Sequence, residues 1–315
     1  MDPGKKDPIK NILVATESEM DMHRANSGEN ALGNVTSIKK RPDGRAYISG
    51  QMQRHALFEA MRELDKSEES KLEDGKETRV SPGSVTSSDV ETDLRADLGG
   101  FLQTSLDGDE ARRTAPLSAA PAVAAEKSDT LKDLLLRFDL EGNEPDPVNM
   151  ETSQSDLMRA AYSLDCTALS TTTHFDLDTL EDGDRGLCMD THTVAHAPPE
   201  ERLRRAKLFL RSTRFVNAHA SQARNMTSLE PTRVFITLDT RISRKAARFF
   251  DMSGDEQEAV REEIRGRGGK TFIGDDNSED AVADAYESAE SHLDNRGIHQ
   301  DEDWEVMGYR EAYDD

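Results

Sequence analysis

Lys39, Lys40, Arg41 and Arg45 flank a Pro42-Asp43-Gly44 turn, and Ser49, Gly50, Gln51 and Arg54 follow at the mouth of a helix. Cations next to the free N–H groups of a helix start suit the holding of a phosphate chain. Acid–base chemistry would need a different set of groups. Ahead of the turn lies a Gly/Asn-rich loop, SGENALGNVTS at 27–37, whose side-chain amides add further donors and acceptors. A third basic element comprises Arg204, Arg205, Lys207, Arg211, Arg214 and Arg224 on a later helix and the loop after it. That loop, HASQARNMTSLEP at 219–231, sets Ser, Gln, Asn and Thr donors around Arg224. Taken singly, each element reads equally well as a solvated helix face or an ordinary surface loop. Three of them in one acidic chain favour the binding of a polyanion.

Other chemistries find less support. Cys188, His192 and His196 are spaced four apart in CMDTHTVAH and would meet a metal if the segment were helical, but its composition reads as a loop. No Ser/His/Asp or Cys/His nucleophile frame is legible. GRGGK at 266–270 lacks the spacing of a phosphate-binding P-loop. The expectation is a non-catalytic chain with no cofactor and no metal.

The chain of 315 residues is long enough for one large domain or two ordinary ones, and with 35% hydrophobic and 33% charged residues its core must be modest. A net charge of −23 argues at first against a nucleic-acid partner. Either the acidity is a functional surface or it is an adaptation that keeps proteins soluble at high salt. The 63 carboxylates are spread along the whole chain, which favours the second and points to a halophilic archaeon as source. Local charge is more telling. Residues 200–250 carry 12 basic and 4 acidic residues, whereas 251–315 carry 21 acidic and 6 basic. Two cysteines make no disulfide framework. No run approaches the roughly 18 apolar residues of a membrane helix, and MDPGKKDPIK has no signal-like hydrophobic stretch, so a cytoplasmic protein without a membrane partner is expected.

Residues 9–17 read as a fully buried strand, with Ile12 and Val14 on one face and Leu13 and Ala15 on the other. After a short extended piece at 46–48, Ser49 caps a helix that gathers Met52, Ala56, Leu57, Ala60, Met61 and Leu64 on one face. Residues 65–92 are a polar linker, expected to be mobile. A turn falls at Gly99-Gly100 and an extended run follows Arg112-Arg113. Residues 129–139 form a short helix or an extended arm, and 156–170 a strand. Residues 171–198 are a Thr-, Asp- and His-rich excursion. A helix spans about 199–213 with Pro199 in its first turn, a strand spans 233–239, and helices lie near 254–265 and 278–294. Two βαβ-like halves around an antiparallel sheet define an α+β, ferredoxin-like architecture. A doubly wound parallel sheet would need more regular alternation.

SGENALGNVTSIKKRPDGRAYISGQMQRHALFEAM, DLGGFL, RRTAPLSAAPAV and SQARNMTSLEPTRVFI together resemble the CRISPR-associated autoregulator DevR family, the repeated backbone subunit of type I Cascade complexes. The blocks occur in the family's order over about half the chain. The resemblance implies an RNA-recognition-motif-like palm at 1–64 and 155–250, fingers in a 65–154 insertion and an acidic C-terminal extension at 251–315. The projecting thumb is either 171–198 or 127–155. It implies copies that self-associate into a helical filament along CRISPR RNA, each thumb displacing a base. It also implies target DNA engaged through the guide, and other Cascade subunits as partners. Carried over to matching positions, Asn30, Asn34, Ser49, Gly50, Gln51 and Arg54 contact the RNA backbone, as do Gln222, Arg224 and Asn225, with Lys39, Lys40 and Arg45 beside them. Related type III subunits cleave RNA with an acidic residue after the first strand, a place Asp21 or Glu29 would fill. The alternatives to a non-catalytic subunit are thus a metal-dependent ribonuclease of the same fold and a free-standing regulator.

Overall fold

A computed structural model describes residues 7–24, 38–72, 75–83, 85, 88–104, 110–135, 149–177, 188–219, 226–301 and 304–313. In chain order the first elements are β1 (Asn11–His23), β2 (Tyr47–Ile48), α1 (Gly50–Asp65) and α2 (Leu94–Gly99). Next come β3 (Phe101–Thr104), β4 (Glu110–Arg113), β5 (Leu117–Ala119), β6 (Ala122–Ala124), β7 (Leu131–Leu135) and β8 (Asn149–Asp165). The chain continues through β9 (Thr171–Leu177), β10 (Cys188–Ala195), α3 (Pro199–Ser212) and β11 (Arg233–Asp239). It closes with α4 (Gly254–Gly266), β12 (Lys270–Asp275) and α5 (Val282–Arg296).

The main sheet runs β12-β11-β1-β8-β6-β2, with β5 and β7 also paired to β8, and each pairing is antiparallel. Taking β5 and β6 as one interrupted strand, the order around β1 is fourth-first-third-second, with α1 and α3 as the two crossovers. That is the ferredoxin-like topology, and the antiparallel neighbours rule out a doubly wound parallel sheet. β9 and β10 form a separate two-stranded hairpin, and β3 and β4 another.

The alternation along β1 separates two apolar layers. Ile12 and Val14 face α1, α3 and α5 in the larger cluster, which includes Leu57, Phe58, Phe209 and Leu293. Leu13 and Ala15 face the opposite layer, where Phe235, Phe249, Phe250, Val260 and Ile264 pack. Phe249 and Phe250 belong to a 3-10 turn at Lys245–Asp251, and Phe249 stacks on Phe235. Helix starts follow the expected chemistry: Ser49 Oγ accepts the Met52 N–H (3.3 Å), Pro199 opens α3, and Ser253 and Glu256 form a reciprocal cap on α4.

The basic face read on α3 is instead an internal scaffold. Arg205 is fully buried and donates to Asp97 Oδ2 (2.8 Å), Glu201 Oε1 (2.9 Å) and the Val90 carbonyl (3.0 Å). Arg113 reaches the other Asp97 oxygen at 2.5 Å and the carbonyls of Thr171 (2.8 Å) and Ala168 (3.0 Å). Arg204 joins Glu201 to Asp65 (2.9 Å) and the Thr78 hydroxyl (2.8 Å). Lys207 pairs with Asp294, and Arg211 with Glu68 and Glu290. Burial raises the cost of charge on Asp97 and Glu201, but the guanidiniums beside them outweigh it and hold both carboxyls below their usual range. Each of these arginines needed a partner that the one-dimensional pattern does not show.

Other stretches also depart from expectation. The 65–92 stretch, expected to be mobile, is packed down in its described parts: Val80 and Val90 are buried, and the Lys71 N–H donates to Glu201 Oε2 (2.8 Å). Residues 131–135, left open between helix and arm, are β7 against β8. Residues 251–315 contribute β12 to the sheet and α5 to the layer over β11 and β12. Farther on, the Met307 N–H donates to Ala195 O (2.9 Å), and Tyr309 is buried with its hydroxyl on Arg112 O (3.1 Å).

Asp97→Ala leaves Arg113 and Arg205 buried without their shared counter-charge. It should cost about 3–5 kcal/mol in urea unfolding or abolish folding. Because the folded pKa values of Asp97 and Glu201 lie below the unfolded ones, the stability they supply is complete above about pH 4. It is lost as pH falls below that through the folded values. Unfolding free energy measured against pH should therefore drop below about pH 4, and the drop should be smaller in Asp97→Asn.

Candidate nucleic-acid interface

The basic turn is closed by the Gly44 N–H on Arg41 O (2.9 Å) and the Arg41 N–H on Arg45 O (2.8 Å), with Gly44 at φ 84°. A left-handed residue is required there, and glycine adopts it without strain. Ser128, more than 80 residues downstream in sequence, locks the turn to the body. Its carbonyl accepts Lys40 Nζ (2.5 Å), its hydroxyl accepts the Ala46 N–H (3.0 Å), and its own N–H reaches Gly44 O (3.3 Å). Lys39 and Lys40 are exposed. Arg45 Nε donates to Asp43 Oδ2 (2.9 Å), and the hydrogen bond from the Arg45 backbone, with the guanidinium beside it, lowers the Asp43 pKa. One carboxylate among four cations leaves the turn net positive.

From the turn the chain runs through β2, paired to β6, into the Ser49 cap. Ser49 and Gln51 are exposed, and the first turn of α1 holds no acidic residue. A Cβ placed on Gly50 would stand 2.7 Å from Ala119 O, so glycine allows the helix start to abut the β5–β6 corner. Arg54 differs from its neighbours: half-buried, its guanidinium donates to Gly99 O and lies 5.8 Å from the Phe58 ring centroid. The DLGGFL block thus supports the helix that carries the site.

Asn30, Asn34, Gln222, Arg224 and Asn225 lie outside the described residues, as does Glu29. The structure does place the points from which their loops leave the body. His23 ends β1, buried against Asp156 Oδ2 (2.9 Å). His219 precedes the second loop and is 5% exposed. Burial, then the positive fields of His23 and His55, pushes its pKa down to about 4. His55 stands on α1, one turn beyond Gln51. The two loop roots thus lie within electrostatic reach of each other and of His55 on α1.

Asp21, near the end of β1, accepts the Ser155 hydroxyl. Cys188 and His192 lie on a strand, not a helix, and His196 just past it, so residues four apart stand about 13 Å from one another. His196 Nε2 is 2.7 Å from the Thr172 hydroxyl. Among the described residues no group of three or more His, Cys, Asp or Glu side chains has the arrangement of a metal site.

With this geometry in hand, the fold matches chains of a "CRISPR RNA-guided surveillance complex" (TM-score 0.57, 12% identity) and of a "CRISPR RNA-guided surveillance complex, pre-nicking" (TM-score 0.56, 14% identity). Both matches cover 90% of this chain and 99% of the other. The chain is thus an α+β protein with the fold of subunits found in such complexes. The model of the family "CRISPR-associated negative auto-regulator DevR/Csa2" matches residues 15–237, and the chain belongs to that family. No curated protein matches it in sequence.

Gly50→Ala should shift the start of α1 and cost about 1–3 kcal/mol in chemical unfolding, as overpacking does. His219 provides a separate check. Its folded pKa lies below the unfolded one, so unfolding takes up a proton and stability falls as pH drops from about 6.5 towards 4. His219→Leu should flatten that limb of a stability–pH profile.

Proposed function

We propose that the chain is a non-catalytic backbone subunit of a type I Cascade complex, gripping the sugar-phosphate chain of CRISPR RNA. Membership of the DevR/Csa2 family over residues 15–237 carries this reading. The likeness of fold to chains of RNA-guided complexes supports it. The groups assembled on the track agree with the role: backbone N–H groups at a capped helix start, the Ser49 hydroxyl, the Gln51 amide and a cationic turn. Such groups recognise phosphate and ribose and leave base edges free, as a guide of variable sequence demands. Asn30, Asn34, Lys39, Lys40, Arg45, Ser49, Gly50, Gln51, Gln222, Arg224 and Asn225 are the proposed contacts. Arg54 adds whatever donors its bond to Gly99 leaves over.

In the same reading, copies polymerise along the guide, other Cascade subunits cap the filament, and target DNA pairs with the held RNA in the cytoplasm. The hairpin of β9 and β10 and the arm formed by β7 with the start of β8 are the two candidate thumbs. The acidic remainder of the surface fits a halophilic archaeal source. At such salt, screening shortens electrostatic reach to a few Å, so close hydrogen bonds and contacts between neighbouring subunits supply the affinity.

Purification of the tagged protein from its host at native salt should recover several copies on RNA of repeat–spacer length. A monomer free of RNA would sink the proposal. Incubation with target RNA and Mg²⁺ should leave the RNA intact for wild type and Asp21→Ala alike. Cleavage that disappears in the variant would establish the ribonuclease instead.

A further inference from the structure

β12 ends the main sheet, and among the described residues no strand pairs with its outer side. The Asp276 N–H donates to Thr232 O (3.0 Å), and Arg233 stands opposite Asp275, so the even-numbered residues of β12 exchange their bonds with β11. The odd-numbered ones turn outward. The Asp275 N–H is taken by Asp280 O (2.7 Å), where the chain doubles back towards α5. Thr271 and Ile273 each keep an N–H and a C=O aimed away from the sheet, and the Ile273 side chain is 39% exposed. Such an edge is a template for one more strand.

A groove runs above this edge. Phe272 packs towards the α5 layer, and a Cβ on Gly274 would stand 2.6 Å from Val282 Cα. Beside Phe272 lies a groove of about 460 Å³, lined on α5 by Asp284, Glu287, Ser288, Ser291 and His292. That flank of α5 faces away from α3, since Glu290 and Asp294 on the other flank meet Arg211 and Lys207. The short side chains of Ser288 and Ser291 keep the groove open. Asp284 and Glu287 are exposed and, among the described residues, have no cation within ion-pair distance. Both β12 and α5 lie past residue 237, where the match to the family ends.

We propose that the edge of β12 and the acidic flank of α5 form a docking site for an extended basic segment of a partner protein, added to the sheet as a further strand. Main-chain bonds to Thr271 and Ile273 supply the pairing. Alternate side chains of the segment point into the groove, where lysine or arginine meets Asp284 and Glu287. Lys270 and Arg296 border the opposite end, so the basic residues belong at the Gly274 end. Charge decides the occupant: a second copy pairing through the same edge by two-fold symmetry would bring two acidic flanks together. β12 and β2 stand at the two ends of the sheet order, so the site is separate from the track at α1 and does not depend on RNA.

The test is the binding of short fluorescent peptides, of about six residues as in a typical strand, to the full-length protein at moderate salt. A peptide alternating lysine and valine is the probe and should bind. A peptide alternating glutamate and valine, and the lysine peptide with proline at its centre, should bind at least about tenfold more weakly. Amide exchange at Thr271 and Ile273 should slow in the complex. Ile273→Pro removes an outward donor without touching a bond to β11, and should weaken the lysine peptide roughly tenfold. Should that variant misfold, Asp284→Asn/Glu287→Gln on the helix surface should give a similar loss, and Asp284→Lys/Glu287→Lys should reverse the preference towards the glutamate peptide. The charge-matched control Asp255→Asn/Glu262→Gln on α4, which packs on the opposite face of the sheet, should bind as wild type. No binding of the lysine peptide by wild type, equal binding of its proline form, or an equal loss in the α4 control overturns the site. So does a wild-type dimer in sedimentation that Ile273→Pro dissociates, since the edge would then belong to a second copy.

Discussion

Asp97 is the residue on which the rest of this structure leans. One buried carboxylate accepts from Arg113, Arg205, the Ser170 N–H (2.9 Å) and the Ser170 hydroxyl (2.5 Å). Those bonds tie α2, β4, α3 and the turn between β8 and β9 to a single point. Ser170 sits at φ 52°, a conformation rarely taken by a residue with a side chain, and both of its donors are consumed by Asp97. Removing one charge from such a set leaves others stranded in a medium of low polarity, where desolvation dominates. The insertion between α1 and β8 is anchored through this point, and through it the helix that carries the track.

The parts of the fold that were legible in the sequence are those governed by local periodicity. The two-faced burial of β1, the Ser49 cap, the Pro199 start of α3 and the 233–239 strand all follow from alternation, capping and backbone geometry. What was hidden depends on distant partners. Arg204 and Arg205 look identical to solvated helix arginines until Asp65 and Asp97, more than 100 positions away, are brought beside them. The acidic tail likewise reads as an appendage because its strand, KTFIGD at 270–275, is too short and too polar to announce itself before β11 pairs with it.

The candidate site shows the same division. The turn, the cap and Gln51 stand where residue type alone places them, on one exposed surface. The features that make them a site do not: Ser128 gives no sign of locking the turn, and His219 none of lying near His23 and His55. The blocks DLGGFL and RRTAPLSAAPAV, two of the four that resemble the family, contribute Asp97, Gly99 and Arg113 to the frame. In this chain those residues serve as scaffolding.

The apolar layer on the Leu13 side of the sheet sets one more limit. Phe249 and Phe250 fill the surface over β1 and β11, with Phe249 stacked on Phe235 and α4 closing over Val260 and Ile264. RNA-recognition folds commonly lay two or three bases flat on that surface, against aromatic rings. Here the protein's own phenylalanines take the place of nucleobases. Any single strand held by this fold therefore finds no free aromatic platform on the central strands, among the described residues, on which to stack its bases.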